Sequence, residues 1–127
     1  MEELICENKA LSSPARLSTS DIDSLHKARR ILDENITSPP TLGKLARLVC
    51  LSEYKLKTGF KELFGMPVYA YVIDKRLERA RFLLENEKLK VAEAAQLVGY
   101  SQSGRFAEKF RQKYGFNPSE YTKIYKF

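Results

Sequence analysis

The chain is predicted to be all-α, with about seven helices in two small subdomains joined by a long connector helix. Three observations carry this. Leu42 to Gly65 and Val91 to Gly115 are one unit written twice: Leu56, Phe60, Gly65 and Tyr71 match Phe106, Phe110, Gly115 and Tyr121 at an offset of fifty. Ala46, Val49 and Ser52 match Ala95, Val98 and Ser101 at an offset of forty-nine, so one residue is inserted after the serine. Between the copies, Pro67 to about Leu84 runs at helical spacing with no internal breaker. Finally, Pro and Gly stand at the expected element boundaries.

Met1 to Ser20 lacks periodicity and has the Ser/Pro composition of a mobile leader or linker. Asp21 is expected to cap a first helix with Ile22, Leu25, Ala28, Arg29, Leu32 and Ile36 on its periodic positions, ending near Asn35 before Pro39-Pro40. His26, the single histidine, is expected on that helix's surface. Thr41 caps a short second helix, and Ser52 caps a third with Glu53 in its first turn. On a helical wheel around Leu56, Phe60 and Leu63 share the core side while Tyr54, Thr58 and Lys61 face away. Gly59 is expected to let the preceding helix approach closely. Gly65 and Pro67 end the third helix and open the connector, which at about 1.5 Å per residue is roughly 27 Å long. After a polar break at Glu85 to Lys90 the pattern repeats, and Gly115 and Pro118 precede a last helix, Ser119 to Tyr125, packing Tyr121 and Ile124. The boundaries are a leader (1–20), a first unit (21–66), the connector (67–85) and a second unit (86–127).

The 127 residues are 30% charged and 43% hydrophobic, a globular composition. No apolar run is long enough for a spanning helix, and the N-terminus lacks the pattern of a signal peptide, so a cytoplasmic protein is expected. Cys6 and Cys50 are too few for a disulfide framework or zinc cluster, and Cys50 is expected to be buried as a small hydrophobe. No glycine-rich phosphate loop, metal-ligand spacing or nucleophile with a histidine partner is present, which argues against an enzyme and against any metal or cofactor. The net charge of +6 is uneven: residues 1–40 carry −2 and residues 41–127 carry +8. A basic surface confined to the repeats suits a polyanion such as nucleic acid.

A short helix, a tight turn and a longer helix with one polar face make a helix-turn-helix pattern, whose second helix fits a major groove about 12 Å wide. The duplicated pattern in a basic region points to DNA. The second repeat, Val91 to Tyr121, resembles the signature of AraC/XylS-type bacterial transcription regulators: an Ala-rich short helix, Gly99-Tyr100-Ser101, then Phe106, Phe110-Arg111, Gly115 and Pro118-Ser119-Glu120-Tyr121. Arg76-Leu77 with Ala80, Leu83 and Leu84 is similar to that family's Arg-Leu-x-x-Ala-x-x-Leu-Leu. The resemblance covers roughly Leu25 to Tyr125, and its Pro-Ser-Glu-Tyr ending is similar to that of siderophore-responsive members.

The resemblance implies a DNA-binding domain whose third and sixth helices enter successive major grooves of promoter DNA. By motif position, base contacts would come from Tyr54, Lys57 and Thr58 in the first unit and from Gln102, Ser103, Gly104, Ala107 and Glu108 in the second. Phosphate contacts would come from Thr41, Ser52, Lys55, Lys61, Ser101, Arg105 and Arg111. Arg76 has two readings, a structural one, which is favoured, and a phosphate contact. Glu108 departs from the basic or polar residue frequent at its position; it could accept from a cytosine amine or pair with Arg105 or Arg111. The resemblance further implies double-stranded promoter DNA and RNA polymerase as partners, a monomeric domain, a place on the nucleoid, and either a small stand-alone member or the DNA-binding part of a longer regulator that can be dimeric. Two rival readings are an RNA or nonspecific DNA binder and a helical protein-interaction domain.

Overall fold

The computed structural model describes residues 17–124, with side chains through Tyr121. The leader through residue 16, including Cys6, and Tyr125 and the side chain of Ile124 lie outside the described residues. Seven helices occur among the described residues and no strand: α1 Thr19–Glu34, α2 Leu42–Leu48, α3 Glu53–Phe64, α4 Val68–Asn86, α5 Val91–Leu97, α6 Ser103–Tyr114 and α7 Pro118–Ile124.

The chain divides into two compact units. The first comprises residues 17–35 and Pro39–Val72, the second Ile36–Ser38 and residues 73–124. In the first unit Leu25, Ala28 and Leu32 of α1, Leu45 and Ala46 of α2, and Leu56 and Phe60 of α3 form the core, closed by Tyr71 and Val72 of α4. In the second, Leu77, Ala80 and Leu84 of α4, Ala94 and Ala95 of α5, and Phe106 and Phe110 of α6 are closed by Tyr121 of α7. Thus α4 supplies the last helix of one core and the first helix of the other.

This double use reveals a longer duplication. Leu25, Ala28, Arg29, Leu32 and Asp33 correspond to Leu77, Ala80, Arg81, Leu84 and Glu85 at an offset of fifty-two. The contacts correspond too. Tyr71 donates its hydroxyl to Asp33, and Tyr121 donates to Glu85. Arg29 lies 4.7 Å over the Phe64 ring, and Arg81 lies 5.1 Å over Tyr114, in each case a cation on an aromatic face.

Local chemistry accounts for the helix ends. Ser18, not Asp21, is the cap of α1; Asp21 is the third helical residue, its carboxylate accepting from the Ser18 N–H while the Ser18 hydroxyl accepts from the Asp21 N–H. This reciprocal box places the start of the helix inside the expected leader. Thr41 and Ser52 cap α2 and α3 as expected, at 3.2 and 3.0 Å. Gly65 and Gly115 end α3 and α6 in the left-handed conformation.

Two expectations about α1 and α3 change. Gly59 accommodates α1, not the preceding helix: a Cβ there would stand 3.0 Å from Leu25 and 3.2 Å from Leu17. His26 is half-buried, its ring edge-on to Phe64 at 5.4 Å. Cys50, in the turn between α2 and α3, is also half-buried instead of buried, with φ 60°.

Gly99 is the glycine that the turn requires. Its φ is +105°, and a Cβ would lie 2.9 Å from the Thr37 carbonyl oxygen and 3.1 Å from the Arg76 guanidinium carbon. Gly99→Ala should therefore cost about 2–3 kcal/mol, whereas Gly104→Ala, which opens onto free space, should stabilise by about 0.5–1 kcal/mol through helix propensity. Urea unfolding of the two variants checks both signs.

Candidate nucleic-acid interface

The first candidate surface is the outward side of α3. Phe60 and Leu56 hold the opposite side in the core, so the helix period leaves Tyr54, Lys57, Thr58 and Lys61 on one strip. Tyr54 is 62% exposed although it is a large aromatic. Lys57 and Lys61 are exposed, and Thr58 is half-buried with its hydroxyl donating to the Tyr54 carbonyl at 2.8 Å. That bond occupies the Thr58 proton and leaves the methyl group as its recognition element, suited to a thymine methyl. The Ser52 hydroxyl accepts from the Lys55 N–H, and the Thr41 hydroxyl from Lys44. Each hydroxyl proton remains able to donate to a phosphate beside a helix start.

Lys55 is not on this surface. It is 2% exposed, and its Nζ lies 2.9 Å from the Asp21 Oδ2, itself fully buried. The expectation of a phosphate contact is corrected: a cation enclosed against α1 and neutralised by a carboxylate has no path to the DNA backbone. The wheel contained the signal. Lys55 stands about 40° from Gly59 at 100° per residue, and Gly59 faces α1. Asp21, whose role the sequence reading also missed, is the only anion of the α1 first turn.

On the second candidate surface, Ser101, Gln102, Ser103, Gly104 and Arg105 are consecutive and exposed at the start of α6. Gln102 occupies the cap position without a side-chain capping bond, so its amide retains the donor and acceptor that can read adenine. Ala107 is half-buried, and Glu108 and Arg111 are exposed. Among the described residues Glu108 forms no ion pair with either arginine. The carboxylate therefore adds negative charge to the face at full strength.

Arg76 is a structural residue. Its Nε donates to the Ile36 carbonyl at 2.6 Å and its Nη2 to the Thr37 carbonyl at 3.3 Å, and the guanidinium lies 5.5 Å over the Tyr100 ring. These bonds support the favoured structural reading, with two of the five guanidinium N–H groups held by backbone carbonyls.

Two ion pairs each shift one titratable group, Asp21 in the first and Lys113 in the second. Burial alone would raise the Asp21 pKa, but the bonds from Lys55 and Ser18 prevail and hold it below its ordinary 3.8. Burial would lower Lys113, but its pairing with Asp74 holds it above 10.5. A depressed acid contributes stability that is complete above its unfolded pKa and lost as pH falls through the folded one.

A protein-family model described as a helix-turn-helix domain matches residues 45–124. The Msm operon regulatory protein of Streptococcus mutans is 27% identical over 119 residues, 94% of this chain and 43% of that protein. The C-terminal domain of the two-component response regulator yesN from Fusobacterium nucleatum is 33% identical with a TM-score of 0.71, covering 79% of this chain and 98% of that one. A probable AraC family transcriptional regulator from Rhodopseudomonas palustris is 26% identical with a TM-score of 0.75, covering 83% and 99%. The fold and these matches together define a paired helix-turn-helix domain of the kind carried by DNA-binding transcription regulators. The chain belongs to the AraC-type helix-turn-helix family. It spans less than half the length of the Msm operon regulatory protein.

Two outcomes test the assignments above. Arg76→Ala should lower stability by about 2 kcal/mol while leaving the salt dependence of DNA binding unchanged; loss of a phosphate contact would instead reduce the slope by about one. Asp21→Asn should cost about 3–5 kcal/mol at neutral pH by removing the carboxylate charge beside the buried Lys55 cation. That difference from the parent chain should shrink as the pH falls below 3.8, measured by urea titration across pH.

Proposed function

We propose that this chain is the promoter-reading part of a transcription regulator, placing α3 and then α6 in successive major grooves of double-stranded DNA. The observation that carries the reading is the outward strip of α3, where Tyr54, Lys57 and Lys61 are exposed on a face that the core does not use. Lys57 donates to guanine, Tyr54 and the Thr58 methyl pack on thymine methyls, and Lys61 meets phosphate. In the second unit Gln102 and Ser103 read bases, and Glu108 accepts from a cytosine amine. Gly104 lets the backbone approach the base edges. Ser101, Arg105 and Arg111 supply the backbone contacts there, as Thr41 and Ser52 do in the first unit.

Grooves one helical turn apart, about 34 Å, would be read in one orientation, so a single copy suffices and the site need not be palindromic. RNA polymerase is the expected protein partner, the DNA-bound nucleoid the expected location, and dimerisation a property of a longer regulator. No described helix is long and apolar enough to cross a membrane. The leader and two-unit division at residues 20, 66 and 85 are retained as working boundaries, adjusted to α1 starting at Thr19.

Selection of bound sequences from a random DNA pool tests the reading, and failure to enrich any motif would overturn it. On the selected site Lys57→Ala should relax preference at one or two base pairs by about 1–3 kcal/mol. Lys61→Ala should lower affinity evenly across sequences and reduce the salt slope by about one. Sequence-blind losses in both variants would remove Lys57 from the base-reading set.

A further inference from the structure

We infer that the buried Asp21–Lys55 pair is a positioning device for DNA reading, which sets the rotation of α3 about its own axis from the first turn of α1. The inference rests on α3 being the base-contacting helix of the first unit. Four polar groups form one continuous series. Ser18 and Asp21 exchange bonds at 3.0 Å each way, the same Asp21 Oδ2 receives Lys55 Nζ at 2.9 Å, and the Lys55 N–H donates to the Ser52 hydroxyl at 3.0 Å. The series therefore joins the first turn of α1 to the first turn of α3, where Tyr54, Lys57 and Thr58 stand.

Apolar packing does not fix this setting by itself. Leu56 and Phe60 hold α3 to the core, but hydrophobic contact is non-directional. Gly59, which meets Leu25 without a side chain of its own, adds no interlocking group against a small roll. A side-chain atom lies about 5–6 Å from a helix axis, so a roll of about 20° moves it about 2 Å. Such a displacement breaks a 2.9 Å bond between two enclosed charges, and it is also enough to misplace a base-reading side chain, which must be held within about 10–20°.

The second unit lacks the device. Its equivalents of Asp21 and Lys55 by the repeat are Ile73 and Arg105, the former packed against the second core and the latter exposed. There α6 is tied near its far end, where Lys113 pairs with Asp74; the first unit has Leu63 and Ile22 at those positions. The lysine position is thus given to internal positioning in one unit and left free for phosphate in the other.

The test uses the 127-residue chain, its selected DNA site and a panel of single-base-pair variants of that site. It is run at a temperature where circular dichroism shows each protein variant folded. Asp21→Asn and Lys55→Met should each lose about tenfold discrimination over one contiguous block of base pairs, the block that Lys57→Ala relaxes, with preference elsewhere unchanged. Lys55→Arg, which retains a cation opposite Asp21, should recover part of the loss. Leu32→Ala, a core truncation in the same unit, is the control for stability and should keep its discrimination. Ser18→Ala, which removes the hydroxyl that accepts from the Asp21 N–H and keeps the Ser18 N–H bond to the carboxylate, carries the test if the stronger variants unfold, with a smaller loss over the same block. Full discrimination in the pair variants, an even loss over the whole site, or a loss no greater than that of Leu32→Ala would overturn the inference. If Lys57→Ala relaxes no base pair, the assignment of Lys57 fails separately. Positioning is then judged by whether the Asp21→Asn loss stays within one block.

Discussion

A hairpin of two short helices cannot enclose a core, and that constraint organises the whole chain. α2 with α3, and α5 with α6, each present an apolar face that must be covered on more than one side. The solution is a leading helix and a closing helix for each hairpin, with α4 serving as both. Its first turns give Tyr71 and Val72 to one core, and its later turns give Leu77, Ala80 and Leu84 to the other. Each closing tyrosine then satisfies its hydroxyl on a carboxylate of the leading helix, Tyr71 on Asp33 and Tyr121 on Glu85. Burying those rings without such partners would strand a polar group.

The same constraint decides how much positive charge is free for a polyanion. Residues 41–127 carry a net +8, but several cations, one of them enclosed and others at the surface, already have partners within the protein. Lys55 is enclosed with Asp21, Arg76 is held by two backbone carbonyls, Arg81 covers Tyr114 and Lys113 pairs with Asp74. What stays exposed includes Lys57, Lys61, Arg105 and Arg111. A residue count therefore points to a polyanion without telling which cations are free to meet it. Individual assignment requires knowing which cations the core has taken.

Much of the architecture was legible because it rests on local chemistry repeated twice. Thr41, Ser52, Gly65 and Gly115 act where turn and cap rules place them, and the period around Leu56 and Phe106 separates core from surface correctly. The readings that failed have one local cause and otherwise depend on long-range partners. Asp21 looks like a cap until Ser18 is seen to occupy that position, and Lys55 looks like one more surface lysine until α1 is packed over it. Arg76 was readable as structural in type, but its acceptors, Ile36 and Thr37, are forty and thirty-nine residues away in sequence. The duplication itself was read too short. Ala28-Arg29 with Leu32-Asp33, and Ala80-Arg81 with Leu84-Glu85, carry it into the leading helices, at an offset that differs by two from that of the closing tyrosines.

Equivalent position in the repeat therefore fixes the fold without fixing the role. Phe60 and Phe110 do the same work because a closed core demands the same volume in both units. Lys55 and Arg105 do not: Lys55 is enclosed with Asp21, whereas Arg105 is exposed and the position matching Asp21 in the repeat is Ile73, packed on the second core. A carboxylate at that place draws the cation inward, where desolvation makes the pairing obligatory. An isoleucine offers the cation nothing, so it stays in water and keeps its charge for an external anion. A carboxylate on the leading helix thus accompanies an enclosed cation in one unit, and an isoleucine at the matching position accompanies an exposed cation in the other, within the same fold.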